Sequence, residues 1–156
     1  MKTFKLEKSI EVPVSKEKAW DFFSNPNNLL KIMPKSMNFK ILYGAELPLH
    51  EGQIITYEVT PFKGYKSKWI SEISHIRKSD YFVDIQIGGP YKLWHHKHHF
   101  KAISENKTLV TDCVHYQLPF GIFSPLMNQL LIAPKLDAIF KYREKHIYQL
   151  LKAYAN

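Results

Sequence analysis

A single cysteine, Cys113, stands in a chain of 156 residues. It excludes an intrachain disulfide and any cysteine-based metal cluster. Its place in the middle of an apolar, alternating stretch suits a small packing residue better than a nucleophile. Long apolar runs are missing too, and nothing approaches the roughly 18 consecutive apolar residues of a membrane span. The first residues, Met1-Lys-Thr-Phe-Lys-Leu-Glu-Lys8, alternate instead of forming the apolar stretch of a signal peptide, so a cytoplasmic location is expected. The chain has no glycine-rich phosphate loop, no Gly-x-Ser-x-Gly elbow and no pair of catalytic carboxylates. Repeats and low-complexity segments are also absent. Acidic residues are in deficit: 14 Asp and Glu against 22 Lys and Arg leave a net charge of +8 with the eight histidines neutral. The excess lysines (Lys2, Lys5, Lys8, Lys16, Lys18, Lys31, Lys35) are scattered, which describes a solvated basic surface and no nucleic-acid footprint.

What is present fits one domain over residues 1–156, long enough to bury roughly two thirds of the surface its unfolded chain exposes. Hydrophobic residues at 45% and charged residues at 23% are ordinary for a globular chain. Aromatics at 14% are plentiful, which suits a fold built around a lined cavity. Phe4, Leu6, Lys8, Ile10 and Val12 alternate with polar residues as a half-buried strand, with Lys8 as the exception, ending at Pro13. Ser15 is placed to cap a helix over 16–23, and Asn25-Pro-Asn stops it before a second short helix near 27–32. Strands are then expected over 37–43, 53–60, 65–76 and 81–87, divided by turns at 48–52, 61–64 and 77–80.

Two further strands, Leu93–Phe100 and Thr108–Leu118, are joined by the polar turn Ser104-Glu-Asn-Lys107 and read as an antiparallel hairpin. Alternation places Trp94, His96, His98 and Phe100 on one face of the first, and His95, Lys97 and His99 on the solvated other face. Val110, Asp112, Val114, Tyr116 and Leu118 share one face of the second. An apolar face carrying two histidines, an aspartate and a tyrosine reads as a pocket. Phe82, Asp84 and Gln86 continue that face in one register of strand 81–87; Tyr81, Val83, Ile85 and Ile87 compete as its apolar side. After Pro119-Phe-Gly121 the period becomes helical: a short helix near 125–132, then, past Pro134, a long one near 134–154. On the long helix Leu136, Phe140, Ile147, Leu150 and Tyr154 keep one face, and Arg143 falls on the same stripe. A guanidinium there needs an acceptor, for which Asp112 is the best placed, or else it reaches past the edge of the stripe into water. Phe120-Gly-Ile-Phe123 reads as a lid over the cavity mouth or a dimer contact.

Val12-Pro-Val-Ser-Lys-Glu-Lys-Ala-Trp-Asp-Phe-Phe23 with Asn25-Pro-Asn-Asn-Leu29 resembles the opening of the START-like superfamily, which includes polyketide cyclases and Bet v 1 type proteins. Gly89–Phe100, Thr111–Gly121 and Phe140-Lys-Tyr-Arg143 resemble its bacterial stand-alone SRPBCC ligand-binding branch. The resemblance implies an α+β helix-grip fold. A seven-stranded curved antiparallel sheet would wrap around the long C-terminal helix, with two short helices after strand 1 and a hydrophobic cavity between sheet and helix. On that mapping the ligand-binding residues are Trp69, Trp94, His96, His98, Asp112, Tyr116, Phe140 and Arg143. A His-x-His pair can also place two imidazoles on one zinc, with Asp112 or Asp84 as third ligand. Lacking the rest of a zinc signature, the pair is read as hydrogen-bonding to Asp112, Tyr116 or ligand, and no metal or cofactor is expected.

The function expected is binding, transport or sequestration of a small hydrophobic or amphiphilic molecule with a polar or acidic end, by a monomer or homodimer that engages neither nucleic acid nor membrane interior. The competing reading is a polyketide cyclase or dehydratase. Asp112 would orient His96 or His98 as base, and Tyr116 or Arg143 would stabilise an enolate. A third is an interaction module whose space is filled by aromatics. On the pocket reading, Asp112→Asn lowers stability or ligand affinity through both Arg143 and the histidines.

Overall fold

The structure is a computed structural model that describes residues 2–155, with side chains described as far as residue 153. Strand β1 (Phe4–Val12) leads into helix α1 (Lys16–Phe23). The Ser15 side chain caps α1 by accepting from the Lys18 N–H at 3.3 Å. A 3-10 turn, Pro26–Asn28, and helix α2 (Leu29–Ile32) follow, and Asn28 Nδ2 donates to the Phe22 carbonyl at 2.8 Å, tying the two helices together. Six strands come next: β2 (Lys40–Tyr43), β3 (Ile54–Phe62), β4 (Tyr65–Arg77), β5 (Tyr81–Gly88), β6 (Leu93–Ser104) and β7 (Lys107–Gln117). The chain closes with α3 (Ser124–Met127), a π-helical turn (Asn128–Ile132) and the long α4 (Ala133–Ala155).

The seven strands form one curved antiparallel sheet in the order β1-β7-β6-β5-β4-β3-β2. Register shifts in β2/β3, β3/β4, β4/β5 and β6/β7 mark the irregularities that bend such a sheet. This is the helix-grip architecture, with α4 against the concave face. Burial on α4 falls on Leu136, Phe140, Arg143, Ile147 and Leu151, spaced by four and three residues. Leu151 is the fully buried member at the C-terminal end of the stripe; Leu150, expected there, is only partly buried. The Tyr154 side chain lies outside the described residues.

Three details differ from the sequence reading. The strand expected from Met37 begins at Lys40, because Lys35–Met37 form a 3-10 turn that ends on Asn38 in the left-handed region (φ 43°). Pro134 does not separate two helices: it follows the π turn, whose wider ring lets the Ala133 N–H reach the Asn128 carbonyl, and it stands second in α4. None of Phe120–Phe123 lines the cavity described below, so the segment is no lid in this structure. Ile122 and Phe123 are exposed on the surface.

Lys8, the polar exception of β1, has a partner: its Nζ donates to Asp137 Oδ1 of α4 at 2.6 Å, pinning the edge strand to the helix it grips. At the other edge, Gln53 holds the loop before β3 together, donating to the Gly44 and Glu46 carbonyls at 2.8 and 3.0 Å. Gly44 is required there, since its φ is 80° and a Cβ would lie 1.9 Å from the Ile54 carbonyl oxygen. Among the described residues no helix is long and apolar enough to cross a membrane.

The buried apolar residues gather in separate clusters. Trp20, Phe22, Phe82, Phe100, Val110, Ile147 and Leu151 form one end of the core, and Trp94, Val114, Tyr116, Leu118, Leu136 and Phe140 the other. Ile55, Tyr57, Val59 and Ile73 line the β3–β4 side. Trp20 anchors the first cluster, meeting Phe82 and Phe100 edge-on at ring-centroid distances of 5.8 and 5.6 Å. Trp20→Ala is therefore expected to destabilise the fold by about 3–5 kcal/mol, read from the shift of a urea unfolding curve.

Candidate functional site

Between the two ends of the core lies a polar layer. Asp112 stands between Val110 and Val114 on the inner face of β7; His96 and His98 stand between Trp94 and Phe100 on β6. The β6/β7 register sets His98 directly opposite Asp112, and the β5/β6 register sets Asp84 directly opposite His96. Phe82 and Asp84 thus face inward, which decides the register of β5 that alternation alone leaves open.

The four side chains interlock. His96 Nε2 donates to Asp112 Oδ1 at 2.8 Å, and His98 Nε2 to Asp84 Oδ2 at 3.0 Å. His98 Nδ1 also approaches Asp112 Oδ1 to 2.8 Å, but off the line needed for donation, so this buried nitrogen has no hydrogen-bond partner. His96 Nδ1 faces Asp84 Oδ2 at 3.6 Å, too far for a hydrogen bond. The imidazoles overlap with centroids 3.8 Å apart, and Phe82 stacks on His98 at 4.2 Å. Burial opposes charge on Asp112, yet the contacts with His96 and His98 outweigh it and hold the carboxyl well below the usual range. Asp84 is lowered too: burial opposes its charge, but His98, His96 and the positive charge of Arg143 outweigh it. Burial and the neighbouring His98 lower His96, whereas the two carboxylates outweigh burial at His98 and raise it.

This layer forms the floor of a cavity of about 180 Å³ between the sheet and α4. Its walls include Trp69, Trp94, Ile55, Tyr57, Leu136 and Phe140. The reading in which aromatics fill the space is thereby overturned. Asp84, His96, His98 and Arg143 line the cavity, whereas Asp112 lies behind the histidines. Two expectations need correction. Arg143 does not pair with Asp112: that carboxylate is taken up by the histidines on the neighbouring strand, which are nearer than a side chain descending from α4. Nor does Arg143 reach water, being 7% exposed. Its guanidinium lies over the Phe140 ring at 5.0 Å, its Nε has no hydrogen-bond partner, and it makes no ion pair within 4 Å among the described residues. Tyr116 is also absent from the cavity lining. It sits four residues along β7 from Asp112, roughly 13 Å at strand rise, and its hydroxyl donates to Asn128 Oδ1 at 2.7 Å. Of the residues assigned to cyclase chemistry, Tyr116 is set apart, whereas Arg143 shares the cavity with His96 and His98, and Asp112 backs the two rings.

The β3 wall, Ile55, Tyr57 and Val59, was not singled out from the sequence; the alternation of Ile55, Tyr57 and Val59 within 53–60 was the available signal. Cys113 falls on the outer face of β7, partly buried, where burial raises its thiol pKa.

No family model matches the chain, and no curated protein does. Solved structures do match over nearly its whole length. Zhui aromatase/cyclase from Streptomyces sp. R1128 superposes with a TM-score of 0.79 at 11% identity, covering 99% of this chain and 97% of that one. A START superfamily protein from Mycobacterium smegmatis gives 0.71 at 14% identity, covering 94% and 98%. The chain has the START-like fold. A Thalictrum flavum norcoclaurine synthase point mutant, in complex with a transition state analogue, shares this START-like fold with a TM-score of 0.72 at 14% identity, covering 99% and 98%.

Removing charge at the centre of the layer leaves N–H groups and the Asp84 carboxylate unbalanced. Asp112→Asn is expected to destabilise the protein by about 3–5 kcal/mol in urea unfolding. Tyr116→Phe, which loses one hydrogen bond outside the layer, is expected to cost about 1 kcal/mol. Equal costs for the two would contradict the division drawn here.

Proposed function

We propose that the chain binds a compact, largely apolar molecule through an anionic end, as a binding or carrier protein of the START-like fold. The observation that carries this reading is Arg143: a guanidinium 7% exposed, facing the cavity, with its Nε unpartnered. Burying a cation without an acceptor costs several kcal/mol, and a carboxylate entering the cavity relieves that cost through paired N–H donors. The walls of Trp69, Trp94, Leu136 and Phe140 supply affinity at about 25 cal/mol per Å² buried. Size narrows the class. A cavity of roughly 150 Å³ admits benzene, so about 180 Å³ suits a single ring or a short aliphatic chain with its acid group. The solved relatives named as a START superfamily protein and an aromatase/cyclase support a small-molecule cavity in this fold.

A panel of monocyclic aryl-alkanoic and short aliphatic acids, each beside its neutral amide, tests the reading by calorimetric titration. At least one acid is expected to bind tenfold or more tighter than its amide. Arg143→Met is expected to remove that preference while leaving the amide's affinity within about twofold, because a charge-assisted bond contributes about 1.5–3 kcal/mol. Acids and amides binding alike, or no member binding, would reject it.

A further inference from the structure

Each imidazole of the polar layer has one nitrogen turned towards Asp112 and the other towards Asp84. The nitrogens facing Asp84 are His96 Nδ1, 3.6 Å from its Oδ2, and His98 Nε2, 3.0 Å from the same oxygen. All three donor atoms lie within 4.8 Å of one another. Donors held roughly 2.1 Å from a single ion stand about 3.0–3.4 Å apart, so the two spacings to Asp84 are close to those of a bound ion, and the two ring nitrogens would close together on binding. We propose that Asp84, His96 and His98 form a site for a divalent first-row transition ion in the cavity floor, with Asp112 as the outer carboxylate that orients both rings.

Three features of the layer support this beyond the donor count. First, Asp112 Oδ1 lies 2.8 Å from the remaining nitrogen of each ring, His96 Nε2 and His98 Nδ1. A ring that ligates through one nitrogen presents its other N–H to an acceptor, and a carboxylate behind the histidine is the usual one. Here one oxygen accepts from His96 and lies within reach of His98 Nδ1, which a small turn of its ring would bring into line. Second, one contact on the Asp84 side is unsatisfied without an ion: His96 Nδ1 faces a carboxylate beyond hydrogen-bonding distance. An ion between Asp84 and the rings uses the His96 lone pair. Third, Asp84, His96 and His98 line the cavity, whereas Asp112 is behind them. Coordination positions are therefore left open on the cavity side, the arrangement of a site that takes an exogenous oxygen donor.

The donor set is two imidazoles and one carboxylate, with no thiolate. That composition and a one-sided arrangement suit Fe²⁺, Co²⁺ or Zn²⁺ better than Cu⁺ or Ca²⁺. With neutral rings, a divalent ion offsets the two carboxylates, leaving the charge of Arg143 for a ligand anion to balance. Metal uptake needs neither that ligand nor Arg143, so it stands apart from the function proposed above.

The test uses full-length protein stripped with a chelator and titrated with Co²⁺ alone, then with Zn²⁺ in competition. One equivalent of Co²⁺ is expected, with visible d–d absorption displaced by Zn²⁺. Asp84→Asn and His98→Gln are each expected to weaken uptake at least 100-fold, and Asp112→Asn by 10- to 100-fold. The outer face carries its own histidines, His95 and His115, whose rings lie 6.3 Å apart across the strands. His95→Gln with His115→Gln is the control and is expected to leave uptake unchanged. Loss of binding in that control, or wild-type protein that takes up no Co²⁺ with a d–d band, would overturn the proposal. Should an inner variant fail to fold by circular dichroism, the wild-type titration and the outer-face control still decide it.

Discussion

A single carboxylate oxygen, Asp112 Oδ1, lies 2.8 Å from a nitrogen of each of two buried imidazoles, and the inner face of the sheet is arranged around that fact. A carboxylate this deep is unfavourable by several kcal/mol unless its neighbours compensate. The compensation comes from residues that the β6/β7 register puts beside it, and the next strand answers with Asp84 from the opposite side. Four ionisable side chains are thus held at fixed orientations between two apolar clusters. Arg143 makes no ion pair with that network within 4 Å among the described residues, and it faces the cavity, its charge felt by Asp84.

Much of this was legible in the sequence, for reasons that differ by element. The hairpin of β6 and β7 follows from strict alternation, and the inward set of Trp94, His96, His98, Phe100 and Asp112 emerges where the period predicts. The α4 stripe was readable because 3.6-residue spacing survives the inclusion of an arginine. Other features are set by tertiary context. Asp84 could not be assigned because β5 is apolar on both faces, with Phe82 and Val83 both buried. The surroundings of Arg143 are not legible in the sequence because the histidines across the strand are nearer to Asp112 than a side chain from α4, and spacing along the helix does not show them. Tyr116 could have been set aside from spacing alone, since four residues of strand separate it from Asp112. Lys8 looked like a defect in an apolar face until α4 brought Asp137 to it.

The solved structures of this fold share 11–14% identity with the chain across the comparisons given above. Likeness at that level carries the backbone path and little about what occupies the concave face. The chemistry has to be taken from the side chains themselves, here a cluster of two acids and two imidazoles beneath an unpaired guanidinium.

The polar layer also bears on how the chain finds its own pairing. Apolar residues alone would accept β6 sliding past β7 by two positions, since valines and aromatics recur at every second residue. The histidines and aspartates would not. A slide in one direction sets Asp112 opposite Phe100; in the other, His98 meets Val110 and loses its facing carboxylate. Each misalignment sets at least one buried polar side chain opposite an apolar one, so the layer works as a key that admits one alignment of the central strands and penalises its nearest competitors.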